Sequence, residues 1–360
     1  MSCQTEHTKK VSIGTLLLEN GKKLPNVEIA YERKGNPTGE MIVVCHALSG
    51  NQATVGSKEN PGWWNNFIGP DLYIDTNRYQ VITMNVLGGC NGSTGPTSID
   101  TETGRIYGAA FPAITIRDMV HSQYKALRKL GIDRVKAIIG GSLGGMQVLE
   151  WGHLYPDFTE ILIPMAVTPY FTDYALAYNS IGRHAIKSDP QWDNGNYPDG
   201  TIIKGMEIAR MVGLVTYRSE SLFNDRFNRE KKEGVDIEYQ VDSYLKYQGQ
   251  KFSKRFDANS YLILLQAMDQ YDLGFKRGGW QHALEKVEAK VCMVSFSGDL
   301  LYPPPLAEAF IKELKKCNKN SAYIQVETRF GHDGFLVEFD KWGHHVKNIL
   351  EKKEVTECLI

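Results

Sequence analysis

Short runs of apolar residues alternate with stretches of helical spacing through the first part of the chain. The apolar runs predict strands at residues 27–32, 41–45, 79–85, 135–140 and 161–167. Apolar residues spaced three and four apart predict helices over 116–130 and 146–151. Largely apolar strands that alternate with helices are typical of a mostly parallel sheet that is covered on both faces.

The pattern changes after about Thr168 and returns near residue 290. The segment between them shows no alternation of strands and helices, and its apolar residues have helical spacing at 206–215 and 261–268. Beyond it, the pattern predicts strands at 290–296 and 323–326, and helices over 307–315 and 337–350. The simplest architecture is one α/β core, formed by residues 1–170 and 285–360, which a helical insertion of residues 171–284 divides.

The amino-acid composition limits which binding partners and which cellular compartment we expect for this protein. The chain has 360 residues, of which 42% are hydrophobic and 23% are charged, and its formal net charge is −1. This balance disfavours a nucleic acid or an anionic membrane as partner, because both require a concentrated basic surface. No apolar run approaches the ~18 residues of a membrane span, and the first ten residues, MSCQTEHTKK, lack the apolar stretch of a secretory signal. The six cysteines include no CxxC pair, so we expect reduced thiols, no metal site and a cytoplasmic protein.

The strongest chemical motif is Gly140-x-Ser142-x-Gly144, which lies between a predicted strand and a predicted helix. A serine in this context is typical of a nucleophile elbow, a sharp turn that exposes the hydroxyl and tolerates only small neighbours. The helix that follows would bring its positive N-terminal end to the same place. A glycine-rich turn that is small only for close packing is the plain alternative. A phosphate-binding loop is disfavoured, because neither G-x-x-x-x-G-K-[ST] nor G-x-G-x-x-G occurs in this stretch.

Two further residues complete a triad in the order that such an elbow requires, which is serine, acid and histidine. Asp299 follows the predicted strand at 290–296, and His332 follows the predicted strand at 323–326. Each residue alone would be interpreted as a turn residue or an ordinary loop histidine. Together the three groups lie just past the carboxyl ends of strands, where open α/β sheets carry their sites. The other histidines lie in helical stretches, in the insertion, in the N-terminal tail or far upstream.

An acyl-transfer site also needs hydrogen-bond donors for the oxyanion. One candidate is the backbone N–H of Leu143, directly after the predicted nucleophile. The second donor normally comes from a loop after an early strand, and the best candidate here is the Leu48 N–H in the segment CHALSGN. An ordinary strand-to-helix connection is the alternative for this loop. With His332 as base and Asp299 fixing its tautomer, the set predicts nucleophilic acyl chemistry at Ser142.

Six motifs, which together span nearly the whole chain, resemble the homoserine O-acetyltransferases of the α/β-hydrolase superfamily. They are CHALSG (45–50), PGWW (61–64), GGCNGSTGP (88–96), GGSLGGMQ (140–147), DLLYPP (299–304) and GHDGFL (331–336). The resemblance implies an α/β-hydrolase fold in which the 171–284 insertion is a helical lid, and a homodimer formed through the lid helices. It implies a ping-pong reaction in which acetyl-CoA acetylates Ser142 and the γ-hydroxyl of L-homoserine then accepts the acetyl group. No permanently bound cofactor is expected.

The same resemblance assigns three residues to the amino-acid substrate. Arg210 and Tyr217 match residues that the family places against the amino acid from the lid, and Asp333 would accept from the substrate ammonium group. A guanidinium suits an α-carboxylate because it can donate two parallel hydrogen bonds. Without the resemblance, a surface arginine and a packed tyrosine would be the preferred interpretations of Arg210 and Tyr217. A solvated aspartate is the alternative for Asp333.

The sequence leaves several alternatives open. Within the family, succinyl-CoA is an alternative donor and serine an alternative acceptor, and the acceptors differ by a methylene worth only ~1–3 kcal/mol. A succinyl carboxylate would need another cation near Ser142, for example Arg218. Water in place of the amino acid would make the same triad a serine esterase. A catalytically inactive binding protein is a further alternative, which the presence of all three triad residues disfavours.

Overall fold

The computed structural model describes residues 8–234, 238–352 and 358–359. Within these residues, nine strands form one sheet in the order β1-β2-β6-β3-β7-β8-β9-β10-β11. These strands are β1 (Lys9–Leu17), β2 (Lys23–Gly35), β3 (Met41–Cys45), β6 (Gln80–Met84), β7 (Val135–Gly141), β8 (Thr159–Met165), β9 (Lys290–Phe296), β10 (Ser321–Val326) and β11 (Cys358–Leu359). Two short strands, β4 (Ile68–Gly69) and β5 (Ile74–Asp75), pair with each other outside this sheet.

The sheet is parallel from β6 to β11, whereas the β1–β2 and β2–β6 pairs are antiparallel. Strands β3, β6 and β7 are buried along their whole length, as expected of parallel strands covered on both faces. The structure therefore confirms the predicted mostly parallel sheet. It differs at the N-terminal edge, where the hydrophobic pattern does not predict β1. Register shifts against β2 break the regular alternation of exposed and buried positions in β1, so no strand period is visible there.

Helices cover the sheet and form most of the segment between β8 and β9. They are α1 (Ile116–Lys129), α2 (Leu143–Leu154), α3 (Asp173–Lys187), α4 (Lys204–Tyr217), α5 (Glu220–Phe227), α6 (Gln240–Ser253), α7 (Ala258–Asp269), α8 (Trp280–Ala283), α9 (Pro304–Lys316) and α10 (Phe339–Leu350). Short 3₁₀ helices occur at Gly108–Ala110, Pro190–Gly195, Leu284–Lys286 and Gly331–Leu336. The six helical stretches predicted from spacing coincide with α1, α2, α4, α7, α9 and α10.

Alternate side chains of the central strands enter two hydrophobic clusters, one on each face of the sheet. Val43 and Ile138 pack in the cluster that contains the buried faces of α1, α2 and α9. Val44 and Ile139 pack in the cluster that contains Trp342 of α10. Because both faces are closely packed, the carboxyl ends of these strands form a fixed edge on which loops can place reactive groups.

The segment between β8 and β9 is a helical layer. Helix α3 packs on α4, and α4 packs on α6. Main-chain hydrogen bonds join its two ends: the Phe171 N–H donates to the Tyr271 carbonyl at 3.1 Å, and the Leu273 N–H donates to the Pro169 carbonyl at 2.9 Å. The chain therefore leaves the core and returns to it at one place. The insertion boundaries at 171 and 284 stay predictions.

Candidate active site

The three residues of the predicted triad follow strands at one edge of the sheet. Ser142 directly follows β7, Asp299 lies in the loop after β9, and His332 lies in the 3₁₀ helix after β10. These strands run parallel in the order β7-β8-β9-β10, so their carboxyl ends meet at the same edge. The exposed fractions of the three residues are 5%, 3% and 4%. The edge therefore presents three reactive groups that are largely shielded from water.

Ser142 lies in a strained turn between β7 and α2. Its φ of 59° and ψ of −125° lie outside the regions that L residues favour, and such strain costs about 1–3 kcal/mol. The turn is fixed by a hydrogen bond from the Ser142 N–H to the Met165 carbonyl at 3.1 Å. A Cβ on Gly140 or Gly144 would lie 2.6 or 2.1 Å from the Cys45 carbonyl oxygen, so only glycine fits at either position. The turn has the backbone geometry of a nucleophile elbow.

Asp299 holds one nitrogen of the His332 imidazole. Its Oδ2 lies 2.8 Å from His332 Nδ1, and its Oδ1 accepts from the N–H groups of Leu301 and Tyr302, each at 2.9 Å. A buried carboxylate needs such partners because it has lost its hydration. Since the carboxylate accepts, we assign the imidazole proton to Nδ1, which leaves Nε2 free to take a proton.

Aromatic rings fix the plane of the His332 imidazole. The Tyr302 ring stacks on it at a centroid distance of 5.1 Å and an interplanar angle of 26°. The rings of Phe335 and Tyr217 lie 5.5 and 5.7 Å away. Among the described residues, no hydrogen bond joins the His332 imidazole to Ser142 Oγ. Catalytic hydrogen bonds are often long without substrate and tighten in the complex.

The two candidate oxyanion donors lie on segments that pack against each other. Leu143 is the first residue of α2, and the first N–H groups of a helix have no partner within it. Leu48 follows β3, whose last residue is Cys45, and it lines the same cavity as Ser142. Neither N–H donates to another group in the described chain. Both are therefore available to a ligand.

His46 fixes the loop that carries Leu48, a role that the sequence does not reveal. Its Nε2 accepts from the Val86 N–H at 3.0 Å and lies 3.2 Å from Asn85 Nδ2. Because Nε2 accepts, Nδ1 carries the proton, and it donates to the Ala47 carbonyl at 2.8 Å. Burial lowers the pKa of His46 from 6.5 to about 4, so the ring is neutral near pH 7. The only sequence signal is a histidine directly after a predicted strand.

Two arginines of the helical segment lie near each other without an ion pair. The Arg210 guanidinium stands over the rings of Phe252 and Tyr217, with its Cζ 5.0 and 5.8 Å from their centroids. The Arg255 guanidinium stands 5.1 Å over the Phe252 ring and donates to the Ser49 carbonyl at 3.2 Å. Desolvation, and then the charge of Arg210, lower the pKa of Arg255. Neither arginine pairs with a carboxylate of the described residues, so this region carries uncompensated positive charge.

Asp333, which the resemblance assigns to the substrate ammonium group, already has a partner. Its Oδ2 accepts from Arg218 Nε at 3.1 Å, and Arg218 also donates to the Tyr244 hydroxyl. Its Oδ1 has no side-chain partner among the residues that the structure describes. Arg218 is therefore engaged by Asp333, while one oxygen of Asp333 is free to accept from a ligand.

A small cavity lies at Ser142 beneath the helical segment. Its volume is about 30 Å³, and Leu48, Phe171, Tyr217 and Leu301 are among the residues that line it. No lysine or arginine belongs to its described lining. The cavity therefore suits a small, uncharged group attached to Ser142.

The described residues contain no group of three or more His, Cys, Asp or Glu that could hold a metal ion. Among the described side chains, Cys45, Cys90 and Cys317 are free thiols. Cys3 lies outside the described residues. Burial raises the pKa of Cys90 to about 12 and that of Cys45 further, so neither is a reactive thiolate. No helix of the described chain is long and apolar enough to cross a bilayer.

Comparison with known proteins agrees with this geometry. A family model described as the alpha/beta hydrolase fold matches residues 40–345 of the chain. The chain is therefore an α/β-hydrolase-fold protein, as the sequence predicts.

Individual relatives define a narrower family. The homoserine O-acetyltransferase of Carboxydothermus hydrogenoformans is 41% identical over 360 residues, which cover 96% of this chain and 95% of that protein. The X-ray crystal structure of homoserine O-acetyltransferase from Bacillus anthracis is similar with a TM-score of 0.90 and 27% identity, covering 97% of this chain and 99% of that one. The crystal structure of esterase E22 is similar with a TM-score of 0.88 and 26% identity, covering 96% and 99%. The chain belongs to the homoserine O-acetyltransferase family.

The buried His46 should make the stability of the protein depend on pH. Because its pKa is about 4 in the folded chain and 6.5 when unfolded, the unfolded chain binds a proton between these values that the folded chain does not. The stabilisation is complete above pH 6.5 and is lost as the pH falls toward 4, by roughly 3 kcal/mol for this one group. Denaturant unfolding at pH 7, 5.5 and 4 measures this change.

The matched variant is His46→Gln, whose neutral side chain does not titrate in this range. We expect it to lose less free energy of unfolding between pH 7 and 4 than the wild type does. His153→Gln should reduce the loss in the same way, because burial also lowers the pKa of His153 to about 4. Equal losses in the wild type and in His46→Gln would refute the assignment of a neutral His46.

Proposed function

We propose that the protein transfers the acetyl group of acetyl-CoA to the γ-hydroxyl of L-homoserine, a step in methionine biosynthesis. The observation that carries this proposal is a buried Ser142–His332–Asp299 site close to an arginine, Arg210, that has no carboxylate partner in the described chain. A nucleophilic serine accounts for acyl transfer, and an unpaired guanidinium accounts for an acceptor that carries a carboxylate. The names of the relatives support the same reaction.

In the first half-reaction, Ser142 Oγ attacks the thioester carbonyl and His332 Nε2 takes the serine proton. The negative charge that forms on the carbonyl oxygen is stabilised by the N–H groups of Leu143 and Leu48. The carbon–sulfur bond then breaks, and His332 gives its proton to the departing CoA thiolate. Asp299 stabilises the imidazolium throughout, which leaves acetyl-Ser142 and free CoA.

In the second half-reaction, the γ-hydroxyl of homoserine attacks the acetyl-Ser142 carbonyl and passes its proton to His332 Nε2. The same two N–H groups stabilise the second oxyanion. The bond between the carbonyl carbon and Ser142 Oγ breaks, and His332 returns the proton to that oxygen. O-acetylhomoserine leaves, and the free enzyme is restored.

Charged groups of the helical layer and of the loop after β10 would orient the acceptor. Arg210 would donate two hydrogen bonds to its α-carboxylate, which is the geometry that a guanidinium provides. Tyr217 would fix the position of Arg210, since its ring lies under the guanidinium. The free Oδ1 of Asp333 would accept from the ammonium group, with Arg218 keeping the carboxylate in place.

An acetyl donor fits the site better than a succinyl donor. The cavity at Ser142 has a volume of only about 30 Å³ and no lysine or arginine in its described lining. A succinyl carboxylate would be desolvated there without a cation to pair with it. Arg218, the cation that the sequence suggested for this role, is engaged by Asp333 instead.

A serine esterase is the second candidate function, and the similarity to esterase E22 favours it. The same triad would hydrolyse an ester if water attacked the acyl-serine. The unpaired guanidiniums of Arg210 and Arg255 argue for the transferase, because an uncharged ester would gain nothing from two cations.

We also propose that the helical layer is a lid through which two copies of the chain pair. Helix α3 leaves an apolar stripe in water: Tyr174 and Ile181 are 54% and 50% exposed and share one helix face with Tyr178. Ile208 of α4 and Tyr247 of α6 are 49% and 59% exposed. A second copy would cover this surface, since exposed apolar patches of this kind mark interfaces. The free thiols favour a reducing compartment such as the cytoplasm.

The assignment of Ser142 and of the acceptor is tested by measuring CoA release. With acetyl-CoA alone, we expect about one CoA per subunit and one acetyl group on Ser142 by mass spectrometry; L-homoserine should make release continuous. Succinyl-CoA and L-serine should be poor replacements. Ser142→Ala should abolish both signals, whereas Ser180→Ala, on the surface of α3, should behave as wild type. Continuous CoA release without an acceptor would instead indicate a hydrolase.

Replacing Arg210 should affect the second half-reaction and leave the first unchanged. Arg210→Ala should raise the KM for homoserine by about 10- to 100-fold, because a charge-assisted hydrogen bond is worth ~1.5–3 kcal/mol. Acetylation of Ser142 by acetyl-CoA alone should stay near the wild-type rate. Arg226→Ala, a change of an exposed arginine in α5, is the control for general effects on the helical layer. If Arg210→Ala left homoserine use unchanged, the carboxylate contact would be wrong.

The pairing of two copies is tested by light scattering on the purified protein. We expect a mass of twice 40.5 kDa. Ile181→Glu should shift the protein toward the monomer, because it places a charge in the apolar stripe of α3. Ile99→Glu changes an equally exposed apolar residue outside the helical layer and should leave the mass unchanged. A monomeric wild type would exclude this interface.

A further inference from the structure

Tyr302 contacts two members of the proposed triad, Asp299 and His332, and Ser142 influences its hydroxyl. Its backbone N–H donates to Asp299 Oδ1 at 2.9 Å. Its ring stacks on the His332 imidazole at a centroid distance of 5.1 Å. Its hydroxyl lies close enough to Ser142 for that side chain to affect the pKa of the phenol. No role assigned above accounts for a hydroxyl group at this place.

The Tyr302 hydroxyl is buried and unsatisfied. The residue is 1% exposed, and its hydroxyl forms no hydrogen bond of normal geometry within the described chain. Burial raises the pKa of Tyr302 well above 10, and the opposing effect of the Ser142 side chain is smaller. The phenol is therefore neutral and able to donate near pH 7. A buried donor without a partner is unfavourable, so a native structure that keeps one calls for an explanation.

We propose that Tyr302 is a positioning residue whose hydroxyl donates a hydrogen bond to Ser142 Oγ and keeps that oxygen directed at His332. This inference rests on the proposed role of Ser142 as nucleophile. The serine hydroxyl can donate its own proton to His332 Nε2 and still accept from the phenol through a lone pair. In the part of the chain that the structure describes, no hydrogen bond between Ser142 and His332 orients the serine side chain. The proposed hydrogen bond from Tyr302 would select its reactive orientation.

The hydrogen bond gains strength as negative charge develops on Ser142 Oγ. In the first half-reaction, the serine proton moves to His332 Nε2 while the phenol keeps its own proton. In the second, Oγ departs from the acetyl carbon with the bonding electron pair, and His332 returns the proton. The phenol stabilises the oxygen in both directions and is unchanged at the end of the cycle.

Tyr302→Phe tests the hydroxyl alone, because it keeps the ring and the backbone N–H. The readout is the rate at which a fluorophosphonate labels Ser142, which requires neither CoA nor homoserine. We expect labelling about tenfold slower than in the wild type, and a comparable fall in kcat with the KM for homoserine unchanged. The melting temperature should equal or exceed that of the wild type, since the variant removes an unsatisfied buried hydroxyl.

Tyr271→Phe is the matched control. Its hydroxyl is also buried and without a partner in the described chain, but Tyr271 lines a separate cavity beside Arg117 and Glu150. This variant should label at the wild-type rate.

Three results would overturn the inference. They are wild-type labelling by Tyr302→Phe, equal slowing in both variants, and slow labelling by Tyr302→Phe together with a lowered melting temperature, which would assign Tyr302 a purely structural role. A wild type that does not label at all would overturn the proposed nucleophile, and this inference with it.

Discussion

The site depends on the close approach of the turn at Ser142 to the end of strand β3. Gly140 and Gly144 both lie against the Cys45 carbonyl at distances that admit no Cβ. This contact holds the strained serine in place and brings the start of α2 against the loop after β3. Leu143 and Leu48, the proposed oxyanion donors, belong to these two segments. A single steric constraint therefore accounts for the position of Ser142, the proposed nucleophile, and for the position of the N–H groups that would stabilise the oxyanion.

The charged side chains on the two sides of the site differ in whether they have partners. On the core side, the carboxylate of buried Asp299 accepts three hydrogen bonds, from the His332 imidazole and from two backbone N–H groups. On the side of the helical layer, Arg210 and Arg255 face aromatic rings and keep their charge without a carboxylate. A fully paired core site is rigid, whereas an unpaired cation selects for a substrate that brings the missing anion.

The sequence predicts those parts of the structure that local pattern controls. The strand at 290–296 is predicted to the residue, because a continuous apolar run marks a strand buried on both faces. The triad could be proposed because motif and chain order place each of its members after a predicted strand of the parallel sheet. The helix α3 is not predicted, since part of its apolar surface faces water and its buried face is narrow. The contacts of His46 with Val86, and of Tyr302 with His332, join distant parts of the chain, and no local pattern encodes them.

The similarity of this fold to both an acetyltransferase and an esterase has a physical explanation. The proposed site in the core would supply a nucleophile, a base and an oxyanion site, and an acyl-serine formed there could be attacked by water or by an alcohol. The acceptor must therefore be decided by what lies over the core. A bound alcohol held in line with the acyl carbon competes with an effective concentration of up to about 10⁵–10⁸ M, far above that of water. Binding of the acceptor through Arg210, as proposed, would therefore direct the reaction by position, with no change in the triad itself.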